Sequence, residues 1–493
     1  MSASALGGNG LGATQWRRVH GRSPLARNLL SRLPLSRHLP LLQGKFRLST
    51  GIVSVKKPSV NQSETSSREP QEVSQVVEHL FRHEAGKMVA TLTRIFGIEH
   101  LTLAEDVVQE ALARALQTWP FYGVPKNPAA WIMRASRNLA LDTVRREKLF
   151  RDKEPEIIAT LEQWPTSIVV GNAPLLENEI QDDRLRMMFV CCHPRISQED
   201  QVALALKTLC GFSPAEIAKA FLTTEAAVAK RLTRAKQKIR AAQIRFEIPE
   251  GEELARRFGG VLQSLYLLFN EGYKASSGKK LVREEICHEA IRLTNLLAEH
   301  PLGNQPKTNA LLALMLLNAA RIPTRVDGDG NLLRLQEQDR TRWDQPLIAR
   351  GMFHFAQSAT GDEITEYHLQ AGIAACHCAA KNYESTDWPQ ILSLYDRLLE
   401  RDGSPVIALN RAVALAEVEG PRAGIAAVDA IQNLHSLESY YLLYAVLGEF
   451  ESRLNHSPAA AAHFRKSLQL AEIKSEQVFL LKRLQACEDQ IRA

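Results

Sequence analysis

Ser213-Pro214-Ala215-Glu216-Ile217-Ala218-Lys219-Ala220-Phe221, then Leu222-Thr223-Thr224, then Glu225 to Arg240, is the stretch on which the fold turns. Ser213 has the chemistry of an N-cap, Pro214 suits the first helical position, and Glu216 closes a capping box. After a short turn Thr224 caps a second helix, and Glu225 lies at its positive end. Along that second helix Val228, Leu232, Ala235, Ile239 and Ala242 form an apolar stripe at helical spacing. Lys230, Arg231, Arg234, Lys236, Lys238, Arg240 and Arg245 fill the other faces, with no acid between Glu225 and Glu247. A helix that buries one stripe and carries cations elsewhere is what docking in a major groove requires. The cations neutralise phosphates, and residues near the helix N-terminus meet base edges.

Two further helices lie upstream. Leu103 to Trp119 reads as amphipathic, with Val108, Leu112, Ala115 and Trp119 on one face. Glu105, Asp106, Gln109 and Glu110 give it an acidic polar face, and Pro120, Gly123 and Pro125 are expected to break it. Asn127 and Pro128 open the next helix as N-cap and first residue, and it is expected to run to about Lys148. It mixes Trp131 with Arg134, Arg137, Asn138, Asp142, Arg145 and Arg146. Asn138, Asp142 and Arg145 share a face. Such a helix suits either a nucleic-acid backbone or single strand, or an ordinary surface position with its Trp buried.

Composition sets the frame. Only 6% of residues are aromatic, while Ala and Leu are abundant, which favours an all-α chain over a β-sandwich or barrel. No apolar stretch is long enough to span a membrane. Seven cysteines, an odd number, argue against a disulfide framework and for a reducing compartment. The formal charge of +6 is uneven: residues 1–63 carry ten basic residues and no acid. The remainder is therefore slightly acidic, so nucleic-acid binding must come from local patches. Residues 1–75 read as a disordered basic extension. Their Arg- and Ser-rich composition is that of a transit peptide.

The rest of the chain divides by pattern. Residues 76–151 are helical, 152–183 form a linker with one short helix, and 184–247 form a compact helical block containing the helix-turn-helix. A helical middle domain is expected over 251–355, with a Gly/Asp-rich turn at 327–331. Residues 356–493 read as helical hairpins with a tetratricopeptide-like period of 34–37 residues. No metal, cofactor or catalytic residue is expected. Cys191-Cys192-His193 and Cys376-His377-Cys378 lack a second spaced pair. Asp327, Asp329 and Asn331 begin a calcium-loop pattern that Leu332 and Gln338 break, so a polar turn is expected. Gly272 to Lys279 has the wrong spacing for a phosphate loop.

The order of the pieces resembles a known family. Leu101-Thr102-Leu103-Ala104-Glu105-Asp106-Val107-Val108-Gln109-Glu110-Ala111-Leu112, with the helix from Trp131 to Arg146, resembles region 2 of bacterial RNA polymerase sigma factors. The block from Val202 through Glu216-Ile217-Ala218 to Lys236 resembles region 4. The short gap between them is similar to the extracytoplasmic-function subgroup of the sigma-70 family. Cys191-Cys192-His193-Pro194, Tyr266 to Tyr273, Glu337-Gln338-Asp339-Arg340 and Trp343 look like the members with a long helical C-terminal extension.

The resemblance implies a cytoplasmic, bacterial, non-enzymatic initiation factor whose partners are core RNA polymerase and promoter DNA. Asp106, Gln109 and Glu110 would contact polymerase. Trp131, Arg134, Arg137, Asn138, Arg145 and Arg146 would engage the −10 element. Thr224, Glu225, Ala226, Lys230, Arg231, Arg234 and Lys238 would read the −35 element. The C-terminal helices would offer a surface to a protein or small-molecule partner. In a bacterial protein, residues 1–75 are read as an extension or start-site artefact before a transit peptide. A DNA-binding regulator on a repeat scaffold, which does not join polymerase, is the alternative.

Overall fold

The computed structural model describes residues 70–146, 154–163, 182–221, 223–242, 246, 248–249, 251–275 and 282–492. The readings made for residues 1–69, for Arg245, for most of the expected linker (152–153 and 164–181) and for residues 276–279 lie outside these. The chain divides into two compact units, one ending at Leu268 and one running on from Phe269. Among the described residues every regular element is helical, and the one extended pairing is an isolated bridge between Val326 and Leu332.

In the first unit, α1 (Pro70–Leu80), a π turn (Phe81–Ala85) and α2 (Gly86–Phe96) run without a break. The helical block therefore starts at Pro70, and residues 70–75 do not belong to a disordered extension. The reason is packing: Val73 is buried and continues the stripe of Val77 and Leu80 one turn earlier. Next, α3 (Leu101–Tyr122) buries Leu101, Ala104, Val108, Ala111, Leu112, Ala115 and Trp119. Pro120 does not break it but sits inside its last turn. The helix stops at Gly123, whose φ of 80° only glycine adopts freely and whose N–H bonds Trp119 O at 2.9 Å. Asn127 caps α4 (Pro128–Arg146) by accepting from Ala130 N at 3.0 Å. Trp131 of α4 meets Trp119 edge-on, with ring centroids 5.4 Å apart. A short helix, α5 (Glu154–Gln163), follows and buries Ile157 and Leu161.

The second half of this unit holds α6 (Asp183–Cys191), α7 (Gln198–Cys210), α8 (Pro214–Ala220) and α9 (Glu225–Ala242). Both hydrogen bonds of the Ser213–Glu216 capping box form: Ser213 N donates to Glu216 Oε2 at 2.7 Å, and Glu216 N to Ser213 Oγ at 3.1 Å. Val228, Leu232, Ala235 and Ile239 are buried as the stripe requires. The two halves of the unit pack together through backbone. A Cβ on Gly86 of α2 would lie 2.1 Å from the carbonyl oxygen of Leu209 in α7. The same carbonyl accepts from the buried Arg184 Nε at 3.0 Å. Beside it, Asp183 accepts from Thr91 Oγ1 at 3.1 Å and Arg94 Nε at 3.2 Å. The next helix, α10 (Gly251–Tyr273), anchors here through buried Arg257, which donates to Phe189 O at 3.2 Å.

The second unit opens with α11 (Glu284–Glu299) and α12 (Pro306–Ala319), and α12 is buried on almost every side. Gly272 sits in the last turn of α10, against Cys287 and Ile286 of α11, where it serves helix packing. The 327–331 segment is the expected polar turn. Asp327 Oδ1 accepts from Asp329 N at 3.0 Å and Asn331 N at 2.8 Å, and Oδ2 from Asn331 Nδ2 at 2.9 Å. These bonds hold the Asp327 carboxyl below its usual range.

Then come α13 (Gln345–Ser358), α14 (Glu366–Ala379) and α15 (Trp388–Arg401). They lead into α16 (Pro405–Glu419) with α17 (Pro421–Asp429), and α18 (Tyr441–Arg453) with α19 (Ser457–Leu470). The second hairpin begins 36 residues after the first on both of its helices. Small residues recur in register: Ala412 and Gly448 on the first helices, Gly424 and Ala460 on the second. A last helix, α20 (Lys474–Arg492), closes the array. Glu449 ties it to the middle domain by pairing with Arg334 at 2.9 Å and Arg483 at 2.8 Å.

Two glycines give opposite expectations. Gly86→Val forces side-chain atoms onto a backbone carbonyl and should destabilise by at least about 2–3 kcal/mol. Gly259 lies within α10, where a methyl group would meet nothing within 4 Å. There Gly259→Ala should stabilise by about 0.5–1 kcal/mol. Urea unfolding of both variants beside the parent chain checks the pair; equal midpoints for Gly86→Val and parent would refute the close approach.

Candidate nucleic-acid interface

The basic helix α9 presents what the stripe left over. Glu225, Ala226, Lys230, Arg234 and Lys238 are exposed, and Thr224 caps the helix, its Oγ1 accepting from Ala227 N at 3.3 Å. Two cations are engaged within the protein. Arg231 pairs with Glu199 of α7 at 2.6 Å. Lys236 Nζ donates to Glu105 Oε2 of α3. Arg231, expected among the DNA contacts, is therefore half-buried and held from the side.

The acidic face of α3 divides in two. Asp106, Gln109 and Glu110 are exposed, and Glu110 accepts from Arg114 Nε at 2.9 Å. Glu105 does not belong with them: only 7% of it is exposed, and it faces α7 and α9. Its Oε1 accepts from Thr208 Oγ1 at 3.0 Å while its Oε2 takes Lys236. A signal for this was present. Glu105 stands three and seven residues before Val108 and Leu112, on the buried stripe. Lys236 likewise lies between Leu232 and Ile239. Lys207 nearby is held below its usual range, chiefly by burial, with Glu105 opposing that shift.

On α4, Arg134, Asn138, Arg145 and Arg146 are exposed, with Asp142 beside them. Arg146 Nε turns back to Asp142 O at 3.1 Å. Trp131 is half-buried against Trp119, and Arg137 is half-buried with its Nε unpartnered. Close by are two residues that sequence reasoning missed. Phe121 and Tyr122, at the end of α3, are 84% and 88% exposed. Their position past Pro120, where the helix was expected to have ended, hid them.

Cys191 and Cys192 are buried, and burial pushes both thiols up, Cys192 to about 12. Both stay protonated near neutral pH, which suits packing and not nucleophilic work. All seven cysteines are free thiols. No described helix is long and apolar enough to cross a membrane.

A helix-turn-helix with a solvent-facing basic helix, packed on a second helical module with exposed arginines and aromatics, defines a nucleic-acid-binding transcription protein. Comparison with known proteins makes this specific. Residues 80–150 match sigma-70 region 2, and residues 186–239 match sigma-70 region 4. Residues 257–359 match a family of unknown function, DUF6596. An uncharacterized protein of Rhizobium meliloti (strain 1021) is 37% identical over 398 residues, covering 80% of this chain and 92% of that protein. No solved structure matches the chain. The chain belongs to the sigma-70 family, with a helical C-terminal extension, and its role is that of a sigma factor in transcription initiation. The family is one of non-enzymatic transcription factors.

The Glu105–Lys236 contact can be tested alone. Lys236→Met leaves a buried carboxylate with only Thr208 and should cost about 1–3 kcal/mol. Adding Glu105→Gln removes the orphaned charge and should restore most of that loss. Urea unfolding of the single and double variants reads it; additive losses would show that the two side chains do not interact.

Proposed function

We propose that this protein binds core RNA polymerase in the cytoplasm of a bacterial cell and directs it to promoters, in the manner of the extracytoplasmic-function subgroup. The observation that carries the reading is α9: its apolar stripe is buried while Glu225, Ala226, Lys230, Arg234 and Lys238 face water. Thr224, Glu225 and Ala226, at the helix N-terminus, meet base edges of the −35 element. Lys230, Arg234, Lys238 and the sideways-held Arg231 meet its phosphates.

Asp106, Gln109 and Glu110 supply an acidic face to polymerase. Arg134, Arg137, Asn138, Arg145 and Arg146 hold the −10 strand, with Trp131 at its edge. Phe121 and Tyr122 add stacking platforms for bases released from the duplex. The C-terminal helices take a protein or small-molecule partner.

Geometry adds a requirement. Elements at −10 and −35 lie about 25 base pairs apart, or about 85 Å of duplex. Helices α3 and α9, of 22 and 18 residues, touch at Glu105–Lys236. Such helices are only about 33 and 27 Å long. Engaging both elements at once therefore parts this contact.

The test is in vitro transcription with bacterial core polymerase and genomic promoter fragments. Specific transcripts are expected. Duplex binding without core association would favour a regulator that never joins polymerase. Lys230→Ala with Arg234→Ala should weaken promoter binding and lower its salt slope by about 1 for each cation removed. Phe121→Ala with Tyr122→Ala should leave duplex binding intact and reduce strand opening, read by permanganate reactivity of unpaired thymines; unchanged reactivity would remove the two rings from the strand path.

A further inference from the structure

In the second unit, Trp343 is buried, and its Nε1 donates to Thr324 Oγ1 at 2.8 Å. Two guanidinium groups lie over its indole ring, Arg321 with its Cζ 5.3 Å and Arg340 with its Cζ 5.1 Å from the ring centroid. Arg340 is fully used as a strut. It donates to His377 O at 2.9 Å, Ala380 O at 3.0 Å and Thr386 Oγ1 at 3.0 Å, clamping the end of α14.

Arg321 differs. Its Nε is shut off from solvent and has no hydrogen-bond partner. Among the described residues no carboxylate forms a direct ion pair with either arginine; the exposed Glu384 acts on Arg340 only at longer range. The charges of both arginines reach His377, whose ring lies edge-on to Trp388 with centroids 5.5 Å apart. His377 Nδ1 is also buried and unpartnered. Burial, reinforced by Arg321 and Arg340, lowers the His377 pKa to about 3, so the ring is neutral.

A folded chain rarely leaves two cations close together without an anion, because repulsion and lost hydration both oppose it. It rarely leaves two buried nitrogens unpartnered in the same place. A guanidinium stacked on an indole is held in plane, and its free edge is a fork that matches a carboxylate or phosphate. We infer that Arg321, with His377 Nδ1 beside it and Trp343 beneath it, forms a binding site for a small oxyanion, a carboxylate or phosphate group, in the C-terminal unit.

The bound group would take hydrogen bonds from the Arg321 fork and from His377 in its Nδ1–H tautomer. It would supply the negative charge that Arg321 and Arg340 lack. The inference does not rest on the promoter-directed reading above, since it concerns only groups within the second unit.

The test uses the full chain. Thermal unfolding is followed against inorganic phosphate in one arm and citrate in the other, with chloride at matched ionic strength as reference. A saturable rise in midpoint is expected in at least one arm, and the arm with the lower half-saturation identifies the class. Arg321→Met should abolish the saturable part while leaving the anion-free protein at least as stable, because an uncompensated cation has been removed. Arg342→Met, an exposed neighbour on the same turn, should bind as the parent does. Should Arg321→Met fail to fold, Arg321→Lys keeps the charge without the fork and should bind at least tenfold more weakly. A non-saturating rise shared by parent and Arg321 variants, no rise in either arm, or equal binding by Arg321→Lys would overturn the site.

Discussion

A carboxylate out of water must be given partners, and in the first unit that demand falls on Glu105. Its two oxygens are divided between Thr208 of α7 and Lys236 of α9. A buried charge left unpaired costs several kcal/mol, so the pairing fixes where region 4 sits on region 2. The surrounding contacts agree with that placement. Gly86 permits α2 to approach the Leu209 carbonyl, Arg184 satisfies that carbonyl, and Asp183 ties α6 to Thr91 and Arg94. Moving α6 against α7 disturbs the buried bond between Arg184 and the Leu209 carbonyl, which has no water to fall back on.

The same placement sorts the cations of α9. Those along the stripe edge hold the protein together, and those on the far face are left for solvent or a ligand. A helix of 18 residues thereby carries two kinds of positive charge with different purposes. Lys236 and Arg231 are paired internally, whereas Lys230, Arg234 and Lys238 are not needed by the fold. The second unit makes a comparable division with arginine. Arg340 spends its donors on carbonyls and a hydroxyl, and Arg321, on the same indole, does not.

Local features were legible in the sequence because local chemistry determines them. The Ser213–Glu216 box, the Thr224 and Asn127 caps, the buried face of α9 and the polar turn at Asp327 all depend on residues within a few positions of one another. What escaped was set at a distance. Glu105 and Lys236 are 131 residues apart, so nothing local says that an acid on a buried stripe will find its cation. Arg231 was assigned outward for the same reason, its partner Glu199 lying on a different helix. Pro120 misled in another way. A proline costs a helix the bond its N–H would donate, here to the carbonyl of Leu116, but at position 120 it leaves only two further helical residues to be disturbed. The helix therefore continued and carried Phe121 and Tyr122 into solvent. The repeat period was legible because the packing requires small residues at the helix crossings, and these recur along the chain.

The burial of Glu105 also decides how the molecule responds to salt. Mobile ions screen charges they can surround, over about 8 Å at physiological ionic strength. They reach Lys230, Arg234 and Lys238 freely, but Glu105 is 7% exposed, and the side chain of its partner Lys236 only 29%. Rising salt therefore weakens the outward-facing cations long before it loosens the joint behind them. High ionic strength would leave this protein intact in shape and blunted at its exposed cations, two properties that a single surface ion pair could never have separated.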